Sequence, residues 1–185
     1  MPLDPDSLRI LHYPDEALRR RATPVERVDD EIRRVASRMI DLMREAEGIG
    51  LAAPQVGLPW RMFVVEVPPG EDRDAAADPA GATLGPLVFV NPRLGRLEGP
   101  PEPMDEGCLS LPEITGQVLR PPVVTVTALG VEGAEFTLRA GGLLGRCVQH
   151  EHDHLDGVLI IDKMTQMSRM KNRSLVRDLE RSARG

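Results

Sequence analysis

The nine residues Gln149-His150-Glu151-His152-Asp153-His154-Leu155-Asp156-Gly157 constrain this chain more than any other stretch, because they contain the pattern H-E-x-x-H. In a helix, His150 and His154 stand one turn apart on one face, where two imidazoles can grip a single metal ion. Glu151 then lies beside them, close enough to handle the protons of an activated water without serving as a ligand. The residues upstream support the helix, since Leu143, Cys147, His150, Glu151 and His154 recur at i, i+4, i+7, i+8 and i+11. Gly157 supplies a left-handed stop. Only four histidines occur in the chain and three fall here, so a helix that merely carries polar residues is the weaker reading. The stretch is read as a hydrolytic metal site.

Such a site needs a folded body, and 185 residues suffice for one domain with a real core. Aromatic residues make up only 3%. The core is therefore expected to be aliphatic and Met-rich, with few platforms on which nucleobases could stack. A net charge of −6 also argues against nucleic acid as the substrate. No run of about 18 apolar residues occurs, and the N-terminus lacks a basic-then-apolar signal. The expectation is a cytoplasmic protein without a membrane span. Two cysteines, Cys108 and Cys147, suit a reducing compartment and free or metal-bound thiols better than a disulfide scaffold.

Along the chain, residues 13–18 suggest a short helix opened by Pro14. A long amphipathic helix is predicted from about 29 to 47, capped by Asp29 or Asp30 and ended by Gly48. Residues 48–57 break that period with three glycines and a proline, which describes backbone that something approaches closely. A phosphate loop does not fit, because no lysine follows and the glycine spacing fails. A tight helix-to-strand connection is the plain alternative. Gln55, the polar side chain of the stretch, is either a solvated loop residue or a donor aimed into a site. Strands are predicted over 62–67 and 87–92, and a hairpin over 123–129 and 135–140. Between the first two strands, residues 68–86 are rich in Gly, Pro, Ala and Asp and read as a long, exposed, mobile loop. Gly141-Gly142 lead into the central helix, and residues 158–161 read as a short strand. A terminal helix is predicted over about 164–185; from Arg169 onward it carries six basic and two acidic residues.

Two histidines do not make a catalytic zinc-type centre; a third protein ligand is needed, with a fourth position left for water. The extended pattern H-E-x-x-H-x-x-G-x-x-H fails at Ile160, which cannot ligate. Glu180 is the one downstream glutamate, and it lies in the basic terminal helix. Cys147 shares the helix face, but the rise from 147 to 154 is about 10 Å, and bonds of about 2.0–2.3 Å cannot span it. Cys147 is thus a small hydrophobe beside the site. Cys108 remains, and Cys108, His150 and His154 form the best ligand set the sequence permits.

Three stretches then agree on one family. GIGLAAPQVG at 48–57, EGCLS at 106–110 and QHEHDHLDG at 149–157 resemble the motifs of the peptide deformylases, as does Ile10-Leu11-His12-Tyr13-Pro14-Asp15. The resemblance covers most of the chain. It departs in the 68–86 loop, which looks longer than in compact members, and in an extended terminal helix of the bacterial kind. It implies an α+β fold: antiparallel strands packed around the central H-E-x-x-H helix, with an N-terminal amphipathic helix and a C-terminal helix. It implies removal of the formyl group from N-formylmethionyl nascent peptides, with release of formate, by a metal-activated water and Glu151 as general acid/base. Cys108, His150 and His154 would bind one divalent transition metal, Fe(II) in the cell, with zinc, nickel or cobalt able to replace it. The Gln55 amide and the Leu109 N–H would hold the developing oxyanion. Ile49, Gly50, Gly107, Met104, Leu143 and Cys147 would form the methionine pocket. Arg146 either borders that pocket or lies on a solvated helix face, and Arg120 is expected to brace the central helix through Asp153. Two competing readings are a general metalloprotease, which needs a cleft open on both sides of the scissile bond, and a non-catalytic ribosome-associated module with a structural metal. The basic tail makes the ribosome an expected partner. The chain is expected to be a monomer.

Overall fold

Asp29 opens the first helix, α1 (Asp30–Glu45), by accepting from the backbone N–H groups of Glu31 and Ile32, each at 3.1 Å. Ile32, Val35, Ala36, Met39, Leu42 and Met43 are buried along one face, as their spacing predicts. The computed structural model describes residues 3–183. Its seven strands are β1 (Gly50–Ala52), β2 (Met62–Val65), β3 (Leu87–Glu98), β4 (Glu102–Cys108), β5 (Leu111–Arg120), β6 (Val123–Leu129) and β7 (Glu135–Gly141). Five form an antiparallel sheet in the order β1-β2-β3-β6-β7, while β4 and β5 pair only with each other.

The layers follow from alternation along β2, all four of whose residues are buried. Met62 and Val64 join α1 in one cluster; Phe63 and Val65 join the second helix, α2 (Gly142–Leu155), on the opposite face. All three phenylalanines gather on the α2 side: Phe63 stacks on Phe89 at 4.7 Å, and Phe136 lies 5.2 Å from Phe89. The β4–β5 hairpin covers the far side of α2. Short α3 (Ile160–Lys163) and the terminal helix α4 (Gln166–Ser182) close that hairpin through a third cluster that includes Leu111, Ile114, Val118, Leu159 and Met164. The H-E-x-x-H helix is therefore enclosed on both sides, and Leu144 to Glu151 are all buried. The fold is α+β, as expected. No described helix is long and apolar enough to cross a membrane.

Four details differ from expectation. Residues 158–161 do not form a strand; the apolar run continues into α3, where Asp162 accepts from the Leu159 N–H at 2.8 Å. The helix near Pro14 is a single 3-10 turn, Glu16–Arg19, opened by the Asp15 carboxylate rather than by proline. The β4–β5 hairpin had no clear sequence signal. The 68–86 segment is not an unanchored loop: Ala80 pairs with Arg139 and Gly141 at 2.9 and 2.8 Å, and Asp78 accepts from Arg139 at 2.9 Å. It thereby covers part of the outer edge of β7. Backbone hydrogen bonds do this work, and they leave no trace in composition.

The end of α2 is fixed by a close approach. Gly157 has φ +72°, and a Cβ there would sit 2.4 Å from the Arg19 carbonyl oxygen. Gly157→Ala is expected to cost about 2 kcal/mol or more from the left-handed backbone and the clash together. For a domain of this size that corresponds to a melting temperature lower by roughly 4–8 °C, which thermal denaturation will check.

Candidate metal centre

Helix α2 presents Leu143, Arg146, Cys147, His150 and Glu151 to a cavity of about 360 Å³. The opposite wall comes from β4 and the turn after it, as Glu106, Gly107, Cys108 and Leu109; the roof comes from Ile49, Gly50 and Gln55. Cys108 Sγ, on this wall, lies 3.3 Å from His154 Nε2, and the Nε2 atoms of His154 and His150 are 3.2 Å apart. The three donor atoms all lie within 4.8 Å of one another. Tetrahedral ligands at bonds of about 2.0–2.3 Å stand roughly 3.3–3.7 Å apart, so the spacing fits a shared transition-metal ion. A soft thiolate with two imidazoles is the donor chemistry such ions prefer. Without a cation, three lone-pair donors would be buried facing one another.

The other nitrogens of the two rings differ in their surroundings. His150 Nδ1 donates to Glu106 Oε2 at 3.0 Å, which leaves Nε2 free for a metal. His154 Nδ1 is buried and finds no partner among the described residues. Burial disfavours charge on both rings. Hydrogen bonds with Cys108 and Glu106 nevertheless hold His150 well above the ordinary imidazole range, while burial and the neighbouring His150 push His154 well below it.

Glu106 is the centre of a polar network that sequence reasoning missed. Its Oε1 accepts from Arg120 Nε at 2.7 Å and from an Arg146 terminal nitrogen at 2.9 Å; its Oε2 accepts from Arg120 at 2.9 Å as well as from His150. Arg120 continues to Asp153 at 2.7 Å, the expected brace, and Asp153 pairs with Lys163 at 2.9 Å. Burial opposes ionisation of Glu106, but hydrogen bonds from His150 and Arg120 outweigh it and hold the carboxyl far below its usual range. Arg146 is buried, donating also to the carbonyls of Val118 and Glu102, so it is not on a solvated face. The available signal was position: Glu106 stands two residues before Cys108 on one strand, pointing the same way.

Glu151 is buried with its Oε2 unpartnered among the described residues. Burial pushes its carboxyl up to about 7, with Glu106 and Asp153 adding to the rise and His150 and Arg120 opposing it. Its Oε1 packs where a Cβ on Gly50 would be, 2.4 Å away, so only glycine admits the acid at that point of β1. Gln55 is not a solvated loop residue. It is buried in a 3-10 turn (Ala53–Val56), Oε1 accepting from the Ala52 N–H at 2.8 Å, Nε2 donating to Ser110 Oγ at 3.1 Å and lying 3.6 Å from Cys108 Sγ. Burial, with the nearby Glu151 and Glu106 charges, raises the Cys147 thiol well above its normal range, consistent with a neutral filler.

Of the expected pocket residues, Ile49, Gly50, Gly107, Leu143 and Cys147 line the cavity, but Met104 does not. Met104 is 42% exposed. It precedes Glu106 by two residues, which carries it about 7 Å along the strand and past the cavity wall.

Glu106→Gln keeps the side-chain volume but removes the charge that orients His150. The expected result is a metal dissociation constant higher by about 10–100-fold, measured by chelator competition.

Comparison with known proteins supplies relatives for this arrangement. The polypeptide deformylase family matches residues 7–170. The peptide deformylase of Chromohalobacter salexigens is 44% identical over 162 residues, covering 88% of this chain and 88% of that protein. The peptide deformylase of Rhizorhabdus wittichii is 43% identical over 175 residues, covering 95% and 94%. Among solved structures, the peptide deformylase from Ehrlichia chaffeensis superposes with a TM-score of 0.85 at 32% identity, covering 96% of this chain and 97% of its own. The peptide deformylase from Synechococcus elongatus in complex with actinonin superposes at 0.77 with 37% identity, covering 92% and 86%.

Proposed function

The chain belongs to the polypeptide deformylase family, whose members remove N-formyl groups from nascent peptides, and on that premise we propose how its residues divide the work. Cys108, His150 and His154 would hold one divalent transition metal, Fe(II) in the cell, with zinc, nickel or cobalt as substitutes. When bound, that ion supplies Lewis acidity, which activates water at neutral pH and polarises the formyl carbonyl. Glu151 takes the proton of the attacking water and delivers it to the leaving amine. The Gln55 Nε2 and the Leu109 N–H steady the negative charge that develops on the formyl oxygen, and loss of one such donor costs about two to three orders of magnitude in turnover. Ile49, Leu143 and Cys147 receive the methionine side chain, while Gly50 and Gly107 keep the approach narrow enough to favour the small formyl group. The observation that carries this reading is the convergence of Cys108 Sγ, His150 Nε2 and His154 Nε2 within 4.8 Å, with the buried Glu151, its Oε2 unpartnered among the described residues, lining one cavity with Cys108 and His150.

The test is formate release from formyl-Met-Ala-Ser, set against an internally quenched peptide with a blocked N-terminus. The wild-type protein should release formate, lose that activity to a chelator and regain it with Fe(II) under anaerobic conditions. Glu151→Gln should retain the metal and lose about two to four orders of magnitude in kcat. Cleavage of the blocked peptide alone would instead identify a general metalloprotease.

We also propose that the protein works as a monomer in the cytoplasm and meets nascent chains at the ribosome through α4. Arg169, Arg173 and Arg177 are exposed, recur every fourth residue, and line one groove with Arg19. Such a stripe suits a phosphate backbone and would act in a salt-dependent way. Truncating the helix would be a poor test, because Asn172 donates to the Thr115 carbonyl at 2.7 Å and Ser168 accepts from the Gln117 N–H at 3.0 Å. Reversing all three arginines to glutamate leaves those anchors intact. Ribosome co-sedimentation should then fall at low salt while formate release from a tripeptide stays at the wild-type rate.

A further inference from the structure

The two groups assigned to the oxyanion stand on irregular backbone. Gln55 lies in a single 3-10 turn, and Leu109 lies with Ser110 in the turn between β4 and β5. Neither residue is itself part of a sheet ladder, although both turns are packed: Ala53 to Val56 and Ser110 are buried, and Leu109 is partly covered. The main-chain carbonyls of Gln55 and Ser110 are instead satisfied by one passing segment. The Leu11 N–H donates to the Gln55 carbonyl at 2.7 Å, and the Tyr13 N–H donates to the Ser110 carbonyl at 2.9 Å. Gln55 and Ser110 are joined to each other as well, through Nε2 and Oγ at 3.1 Å. Three hydrogen bonds thus close a triangle whose third side is the dipeptide step from Leu11 to Tyr13.

We infer that Leu11 and Tyr13 are positioning residues: their backbone forms a strap that sets the spacing between the Gln55 amide and the turn carrying the Leu109 N–H. This rests on the oxyanion assignment above. Only His12 separates the two donors, so the strap ties its two acceptors at a short, fixed spacing. The strap is itself held. The Leu11 and Tyr13 side chains pack against the third hydrophobic cluster, His12 between them faces solvent, and Tyr13 Oη donates to Glu180 on α4 at 2.9 Å. With its side chains anchored and its two N–H groups bonded to both turns, the strap ties the two donors to one frame, and catalytic donors need placement to within about 0.5 Å.

The experiment removes single N–H groups from the full-length protein. Leucic acid, the hydroxy-acid analogue of leucine, is placed at position 11 by nonsense suppression, which replaces the amide with an ester and keeps the side chain. The corresponding exchange is made at position 13, and Leu11→Ala serves as the side-chain control. With metal content matched, either ester should lower kcat for formyl-Met-Ala-Ser about tenfold, a fraction of the loss from deleting a donor outright, and leave KM unchanged. In a Gln55→Ala background the Leu11 ester should cost less than about twofold, because the donor it positions is gone. Unchanged kcat in both esters, or an equal fall with and without the Gln55 amide, would overturn the strap. If Gln55→Ala alone leaves kcat intact, the oxyanion assignment fails and takes the strap with it. If Gln55→Ala is crippled while both esters turn over normally, the strap alone is wrong.

Discussion

The carboxylate of Glu106 is the contact on which the other parts of the centre depend. It joins the strand that carries Cys108 to the helix that carries His150, and it does so through four hydrogen bonds from three residues. Burying a carboxylate between two arginines is costly in desolvation, and an apolar replacement of similar volume often proves as stable. Stability is therefore a weak reason for the arrangement. Geometry is a better one. The bond to Nδ1 fixes the tautomer and plane of the His150 ring, and Arg120 passes the constraint to Asp153, one residue before His154. Both imidazoles are thus referred to the same buried ion pair. Deleting any one member would leave its partners charged and unsatisfied, which typically costs 3–5 kcal/mol or so.

This network explains how α2 can bury Arg146, Gln149, His150, Glu151 and His154. On the sheet side it offers Leu144 and Val148 to the apolar cluster around Phe63 and Phe89. On the hairpin side each polar group meets a named partner: Arg146 the carbonyls of Val118 and Glu102, Gln149 the carbonyl of Pro121, and His150 the carboxylate of Glu106. The exceptions are Glu151 Oε2 and His154 Nδ1. The first faces the cavity, where a substrate proton has to be handled. On the proposed division of roles, Glu151 is the general base, and an unsatisfied acceptor is what such a base needs before its reactant arrives.

Legibility in the sequence tracked how local each signal was. The H-E-x-x-H helix could be read because its ligands, its periodicity and its Gly157 stop all lie within fifteen residues or so of one another. Helix α1 declared itself through one apolar stripe and the Asp29 cap. The β4–β5 hairpin did not, because its buried positions include Gly116 and Arg120, which break the apolar alternation that marks a strand. Residues 158–161 misled for the opposite reason: a four-residue apolar run has no intrinsic period, and Asp162 turned it into a helix. The partners of Glu106 and the Leu11–Tyr13 contacts were hidden for a third reason. Both depend on which distant backbone or side chain the fold brings opposite, at separations of 44 residues for Glu106 and His150.

The terminal helix separates two jobs that a small domain would otherwise mix. Its inner side is held largely by polar contacts, Ser168 and Asn172 being its buried residues, with Leu175, Val176 and Leu179 only partly covered. Those contacts end on β5, whose other neighbours are α3 and the Glu106 network. Its outer side presents arginines to solvent without touching the cavity. A partner engaging those arginines would meet the catalytic centre only through β5 or through Glu180 and Tyr13, that is, through the outer shell of the strap. Charge on α4 can therefore vary with little effect on the ligands. The hydrogen bond from Tyr13 to Glu180 joins the tail to the segment whose N–H groups bond the Gln55 and Ser110 carbonyls.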